Sequence, residues 1–145
     1  MRDRFFVLFS VLFLLGIVFV ACSSDDASSP TLLDKQWVLV SYKTESNEVL
    51  KETEGYYYLI TFHSDGTYSG KVYGNEMEGE YVCKGNKIKI SCAYITKVYY
   101  EGADPDVFFQ EHLSDVYFYT VTDTELRLYY SVDQYFKFRI KSDQL

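Results

Sequence analysis

Apolar and polar residues alternate one by one along much of the chain. The alternation is clearest at residues 136–141, where Phe and Ile positions alternate with Lys and Arg positions. Ile88 and Ile90 alternate with lysines in the same way, and Leu126 and Leu128 have an arginine between them. A period of two is expected of strands that pack one face on a core and turn the other face to water.

Turn-forming residues divide these segments at short intervals. Asp65-Gly66 and Gly85-Asn86 are pairs that favour tight hairpin turns. The polar stretch 43–55 is predicted to be a loop, with a short hairpin arm around Val49 and Leu50. Strands are predicted at residues 37–42, 56–63, 67–73, 78–84, 87–92, 96–100, 116–121, 125–130 and 135–141.

One short helix is predicted between the sixth and seventh strands. Asp104 suits the N-cap, Pro105 suits the first turn, and Asp106 complements the positive end of the helix dipole. Residues 107–113 supply an apolar face that would plug one side or end of the sheet. The fold class we expect is therefore mainly β (α+β), a curved antiparallel sheet or half-barrel of about eight or nine strands with one short helix.

The N-terminal residues predict an exported, lipid-anchored protein. Arg2 and Arg4 precede an apolar run from 5 to 20, which ends in Ala21-Cys22. This is the pattern of a secretory signal peptide, and its end resembles a lipobox, where the Cys thiol is acylated and the chain is cleaved. An uncleaved helical anchor is the alternative, because sixteen residues approach the roughly 17 to 25 that span a bilayer.

We therefore divide the chain into a signal peptide (1–21), a flexible linker (22–30) and one domain (31–145). The linker is rich in Ser and Asp and cannot bury apolar surface, so we expect a tether. It also resembles the export tag of surface lipoproteins. The expected location is the cell envelope, where lipid on Cys22 would hold the chain at the outer membrane. An export tag in the linker would place the domain at the cell surface.

The charge of the chain excludes one class of partner. The net charge is −7, and removal of the signal peptide with its two arginines and one aspartate takes it to about −8. Nucleic acid is therefore not an expected partner, because its phosphates require a basic surface.

Two cysteines remain in the domain. In the hairpin that turns at Gly85-Asn86, Cys83 is expected opposite Ile88, and Cys92 lies four residues farther along that strand. The separation is about 13 Å, which is too long for a disulfide. Both thiols are expected to be buried on the face that carries Tyr81 and Ile90.

The residues that could carry catalysis are few. His63 and His112 are the only histidines, and no pair of histidines has metal-ligand spacing. A carboxylate pair for hydrolysis would have to come from residues at turns or on solvated strand faces, namely Asp65, Glu78, Glu80 or Asp115. We expect no catalytic residue, no metal and no cofactor.

Aromatic residues are abundant, and some of them must point outward. Tyr57, Tyr129 and Tyr135 are the outward candidates, and Tyr135 lies beside Lys137 and Arg139. These five residues are the predicted binding surface, since tyrosine rings suit sugars, peptides or another protein. The alternative is that the rings cover a small sheet or line a second core. A cationic stripe is predicted on outward strand positions at Lys87, Lys89, Arg127, Lys137, Arg139 and Lys141.

Several segments resemble the META domain shared with HslJ-like lipoproteins. They are Trp37 in "LLDKQWVLVSY", "ITFHSDGTYSG" at 60–70, Asn75, "GEY" at 79–81, "KIKI" at 87–90, Thr96-Lys97 and "VFFQEHLSDVYFYTVTDTELRLYY" at 107–130. The resemblance implies a compact, mainly antiparallel domain without enzymatic activity. The family often has Cys-Asn where this chain has Gly74-Asn75, and a second Cys near Tyr100, so no redox role is carried over.

The expected function is an envelope lipoprotein that binds an envelope protein or serves in envelope stress. One alternative is a lipocalin-like module that holds a small apolar ligand inside its curved sheet. Another is an inhibitor of an envelope-directed hydrolase, which would present a rigid exposed loop. An open interior would favour the lipocalin-like module, and a filled one the META-like protein.

Overall fold

The computed structural model describes residues 31–50, 58–72, 75–96 and 107–141. The elements are β1 (Trp37–Lys43), β2 (Glu48–Leu50), β3 (Tyr58–Phe62), β4 (Thr67–Val72), β5 (Asn75–Lys84), β6 (Lys87–Ile95), α1 (Val107–His112), a 3₁₀ turn (Leu113–Asp115), β7 (Phe118–Val121), β8 (Glu125–Ser131) and β9 (Gln134–Ile140).

The strands close into a ring. Each strand from β3 to β9 pairs antiparallel with the next, β1 pairs with β3, and β9 returns to pair with β1. The result is an eight-stranded antiparallel barrel, with β2 attached to β1 as an additional strand. The predicted fold class is confirmed, and β2 coincides with the predicted arm around Val49 and Leu50. The ring closes because β1 pairs with β9 from Trp37 to Lys43, with one register shift between Leu39 and Ser41.

Inward side chains fill the centre of the barrel. The buried residues follow the predicted alternation, since Phe136, Phe138 and Ile140 are at most 5% exposed. The largest fully buried side chains are Trp37, Tyr68, Phe62, Phe109, Phe136 and Phe138. Within the described residues, the interior is therefore occupied by the protein's own aromatic rings.

Two segments cover the two ends of the barrel. At one end, where the described chain begins, Leu32 is buried and its carbonyl accepts a 3.0 Å hydrogen bond from Trp37 Nε1. At the other end, α1 inserts Phe109, whose ring centre lies 4.9 Å from that of Phe136 and 6.1 Å from that of Tyr58. The predicted plugging role of the helix is confirmed; its predicted caps at 104–106 lie outside the described residues.

Two predictions about β6 need correction. The strand predicted at 96–100 does not begin at Thr96, because β6 continues unbroken to Ile95; residues 97–100 lie outside the described ranges. Cys92 is exposed, whereas Cys83 is half-buried and packs against the core. A register shift between Glu78 and Gly79 lies opposite Cys92, and such a bulge re-aims side chains. Cys92 is a thiol, so no disulfide joins it to Cys83.

Within the described ranges, no helix has the length and apolar character needed to cross a membrane.

Candidate functional site

The outward side chains of β1, β9, β8 and β7 form one continuous surface, which we call the aromatic–cationic face. The strand register aligns these side chains in rows across the barrel. The face comprises Lys43 from β1, Tyr135, Lys137 and Arg139 from β9, Glu125, Arg127 and Tyr129 from β8, and Phe118 from β7. Because every one of these strands is paired on both sides, the face is held by the closed sheet rather than by a loop.

Three aromatic rings form the first row. Tyr129 lies between Tyr135 and Phe118, with ring centres 5.4 Å and 5.7 Å away and ring planes tilted by 61° and 60°. Lysines end the row on both sides, since Lys43 pairs with Tyr135 and Lys87 pairs with Phe118 across the sheet. All three rings are half-buried, so each is fixed by its neighbours yet reachable from outside.

A network of charges forms the next row. Arg127 Nε donates to Glu125 Oε1 at 2.7 Å, and Lys137 Nζ lies 3.5 Å from Glu125 Oε2. The guanidinium of Arg127 also lies 5.0 Å from the ring centre of Tyr135, within cation–π range. Desolvation lowers the pKa of Arg127, but Glu125 and the hydroxyl of Tyr129 more than offset it, and the pKa is raised overall.

The face is cationic although the chain is acidic. Four cations, Lys43, Arg127, Lys137 and Arg139, share the face with one carboxylate, Glu125, which pairs with Arg127 and Lys137. Glu48 adds a second carboxylate at the edge, where it accepts a 2.6 Å hydrogen bond from Ser41. Within the described residues, Arg139 has no carboxylate in ion-pair range, and its guanidinium donates to the Ile140 carbonyl at 3.3 Å.

A shallow groove of about 410 Å³ opens at one end of this face. It forms beside Val40, where the pairing of β1 with β9 shifts register between Leu39 and Ser41. Its lining combines charged and apolar groups: Val40, Thr124, Glu125, Lys137, Phe138, Arg139 and Ile140. The bulge therefore places a concave site next to the two outermost cations of β9.

The structure brings together four of the five predicted binding residues. Tyr129, Tyr135, Lys137 and Arg139 share the face, whereas Tyr57 lies outside the described residues. Sequence reasoning missed three contributors, Lys43, Phe118 and Glu125. Phe118 had a usable signal, since it alternates with the inward Tyr119. The positions of Lys43 and Glu125 on the face depend on cross-strand register, which alternation along one strand does not reveal.

Candidate catalytic residues are dispersed. His63 lies at the barrel end that β1 enters, where its Nε2 is 2.9 Å from Ser69 Oγ. His112 lies at the opposite end, with its Nδ1 2.9 Å from Asp115 Oδ2. Asp65 accepts hydrogen bonds from the amide and hydroxyl of Thr67, and the hydroxyl bond is the first cause of its lowered pKa.

The other candidate carboxylates, Glu78 and Glu80, are exposed on the outside of β5. In the described parts of the chain, no three His, Cys, Asp or Glu side chains gather closely enough to hold a metal ion.

The geometry defines a small closed barrel with a filled interior and an outward aromatic–cationic face. The family model of the META domain matches residues 30–142, so the chain belongs to the META domain family. The suspected family is thereby confirmed.

Two solved structures share the fold. A DUF4847 family protein from Bacteroides vulgatus ATCC 8482 superposes with a TM-score of 0.57, at 19% identity over 74% of this chain and 93% of that chain. A protein from Burkholderia xenovorans, solved by NMR, gives a TM-score of 0.63 at 16% identity over 83% of this chain and 94% of that chain. No curated protein matches the chain.

Proposed function

We propose that this protein is a non-catalytic binding module of the cell envelope, anchored by lipid on Cys22, that holds a partner protein on the aromatic–cationic face. The observation that carries the proposal is the row of Phe118, Tyr129 and Tyr135, held between Lys43 and Lys87 on paired strands. Half-buried tyrosines next to arginine are the residues that dominate protein interfaces.

The anchor half of the proposal rests on the N-terminal residues. The basic start, the apolar run and Ala21-Cys22 fit processing at Cys22, and acylation there would attach the chain to a membrane, which we propose is the outer membrane. Two acyl chains are needed for stable anchoring by lipid, which is what lipoprotein processing attaches. The segment 23–30 then serves as a tether of at most about 28 Å.

A lipocalin-like role is less well supported. Such a role requires an open interior, whereas Trp37, Phe62, Tyr68 and Phe136 fill the centre of the described barrel. The groove near Val40 lies on the outside instead. Hydrolysis is also less well supported, because Glu78 and Glu80 are exposed on the outside of β5, Asp65 lies in the turn before β4, and Asp115 lies at the opposite end of the barrel.

Capture from detergent-solubilised envelopes tests the proposal. The full-length chain is compared as bait with the double variant Tyr129→Ala/Tyr135→Ala and with Tyr117→Ala, which removes a half-exposed tyrosine outside the row. We expect a protein retained by the wild type and by Tyr117→Ala but lost with the double variant. Equal retention by all three baits would contradict the proposal.

A further inference from the structure

The outermost cations of the face indicate the chemistry of its partner. Lys137 and Arg139 are two residues apart on β9 and both point outward, so their side chains leave the strand about 7 Å apart. Both line the groove beside Val40. Glu125 is the one carboxylate among the described residues that line the groove, and it is shared between Arg127 and Lys137.

We propose that the groove receives a carboxylate from an acidic segment of a partner protein, seated between Lys137 and Arg139. This inference rests on the proposed binding function and names the class of partner. Arginine binds a carboxylate through two parallel hydrogen bonds, and Arg139 has its guanidinium at the groove with no carboxylate bound to it in the described part of the chain.

The rest of the face fits the same segment. Tyr135, Lys137 and Arg139 follow each other along one strand over about 13 Å, which is the length of four extended residues. A segment lying along β9 can therefore place an acidic side chain in the groove. It can place an aromatic or aliphatic side chain against the row of rings at the same time. The negative charge of the segment complements the face and has the same sign as the net charge of the chain, −7, so acidic segments are repelled elsewhere.

The tilt of the rings favours a protein over a flat polysaccharide. Neighbouring rings of the row are inclined by about 60°, so they do not make a coplanar platform. The row also lies about 20 Å along β1 from Trp37, near which the described chain begins. The described chain thus begins at the end of the barrel opposite the row, and attachment from that end would leave the row accessible to a partner beyond the membrane surface.

Glu125 gives the proposal a distinctive consequence. Its carboxylate competes with an incoming carboxylate for Lys137, so its removal should strengthen binding of an acidic peptide. Replacement of the two groove cations should weaken that binding. If the protein attracted acidic peptides only through its overall charge, removal of two cations from other strands would weaken peptide binding by the same amount.

The probe is a fluorescein-labelled hexaglutamate peptide, titrated into the full-length chain in detergent micelles. We expect about a tenfold weaker affinity for Lys137→Gln/Arg139→Gln, and a several-fold gain for Glu125→Gln. The charge-matched control Lys71→Gln/Lys84→Gln replaces two exposed lysines of β4 and β5 and should bind like the wild type.

Phosphatidylglycerol vesicles and inorganic phosphate are titrated in parallel. No peptide binding by the wild type, equal losses in both double variants, or vesicle binding that the peptide does not compete with would each overturn the acidic-segment proposal. The binding function itself would survive those outcomes if the tyrosine variants still lost a captured protein. The binding function is contradicted only if the tyrosine variants also retain the captured protein.

Discussion

The guanidinium of Arg127 on β8 lies 5.0 Å from the ring centre of Tyr135 on β9. The contact joins the row of rings to the row of charges, because Arg127 is also bound to Glu125 at 2.7 Å. The aromatic–cationic face is thus a coupled surface whose side chains restrain one another. A surface ordered before binding loses less conformational entropy when a partner arrives.

This coupling predicts the effect of two substitutions at Tyr135. Tyr135→Ala should lower the free energy of unfolding by about 1 kcal/mol, through loss of the cation–π contact and of the cross-strand pair with Tyr129. Tyr135→Phe keeps the ring and should stay within about 0.5 kcal/mol of the wild type. Urea unfolding measures both, and an equal loss in the two variants would show that the ring is not the important part.

Because α1 covers one end of the barrel with Phe109, truncation of this side chain should strongly lower the free energy of unfolding. This side chain is 1% exposed and packs edge to face on Phe136 and Phe138. Phe109→Ala should cost about 3 to 5 kcal/mol, because the barrel end is left with a cavity. Phe109→Leu should cost clearly less. Urea unfolding of the two variants tests this, and a loss below about 1 kcal/mol for alanine would mean that α1 does not seal the barrel.

Replacement of Gly79 and of Gly85 by alanine should lower the stability of the fold by different amounts. A Cβ on Gly79 would clash with the Ser91 carbonyl oxygen and lie 2.7 Å from Tyr68 Cε1, so Gly79→Ala must move backbone. Gly85 has a φ of +58° but open space around it, so Gly85→Ala should cost only the roughly 1 to 2 kcal/mol of left-handed backbone. We expect Gly79→Ala to lower the unfolding midpoint more than Gly85→Ala does; the reverse order would contradict the close packing of Tyr68 over β5.

Burial of Tyr81 predicts a loss of stability at high pH. Desolvation raises the pKa of this phenol to about 12, and its hydroxyl donates to the His63 carbonyl at 2.6 Å. Because the folded pKa exceeds the unfolded value of about 10, this contribution is complete below pH 10 and is lost as the pH rises toward 12. Unfolding free energies measured from pH 8 to 12 should decline less steeply in Tyr81→Phe. An unchanged slope would contradict the assignment.

The lipid anchor predicts the mass and the location of the processed chain. The mature protein should begin at Cys22 and carry acyl chains, so its intact mass should exceed that of residues 22–145 by the mass of the lipid. Cys22→Ala should block processing and leave the chain starting at Met1. An unmodified Met1 terminus in the wild-type protein would support the alternative, a helical anchor.

Alternation was sufficient to predict most of the strands and the core. Each of Phe136, Phe138 and Ile140 is followed by a cation, which predicts that these three face inward, because burial of one strand face is the dominant energetic requirement of a sheet. Closure of the ring was not predictable in the same way. It depends on pairing between β1 and β9, which lie at the two ends of the domain sequence and carry no local signal of each other.

The aromatic–cationic face was predicted only in part for a related reason. Tyr129, Tyr135, Lys137 and Arg139 could be placed outward from their own strands, but the groove arises from a register shift at Val40 that interrupts alternation in β1. The exposed position of Cys92 has the same kind of cause, a register shift between β5 and its own strand, β6. Bulges are set by the fit of neighbouring strands, so the sequence of one strand does not locate them.

Site-specific photo-crosslinking in living cells tests the central claim, that the aromatic–cationic face binds a partner, most directly. A benzophenone amino acid is placed at Tyr129 or Tyr135, and at Val82 as an exposed control position on β5. We predict one discrete crosslinked protein from both positions on the face and none from Val82. No crosslink from the face, or the same products from all three positions, would contradict the account.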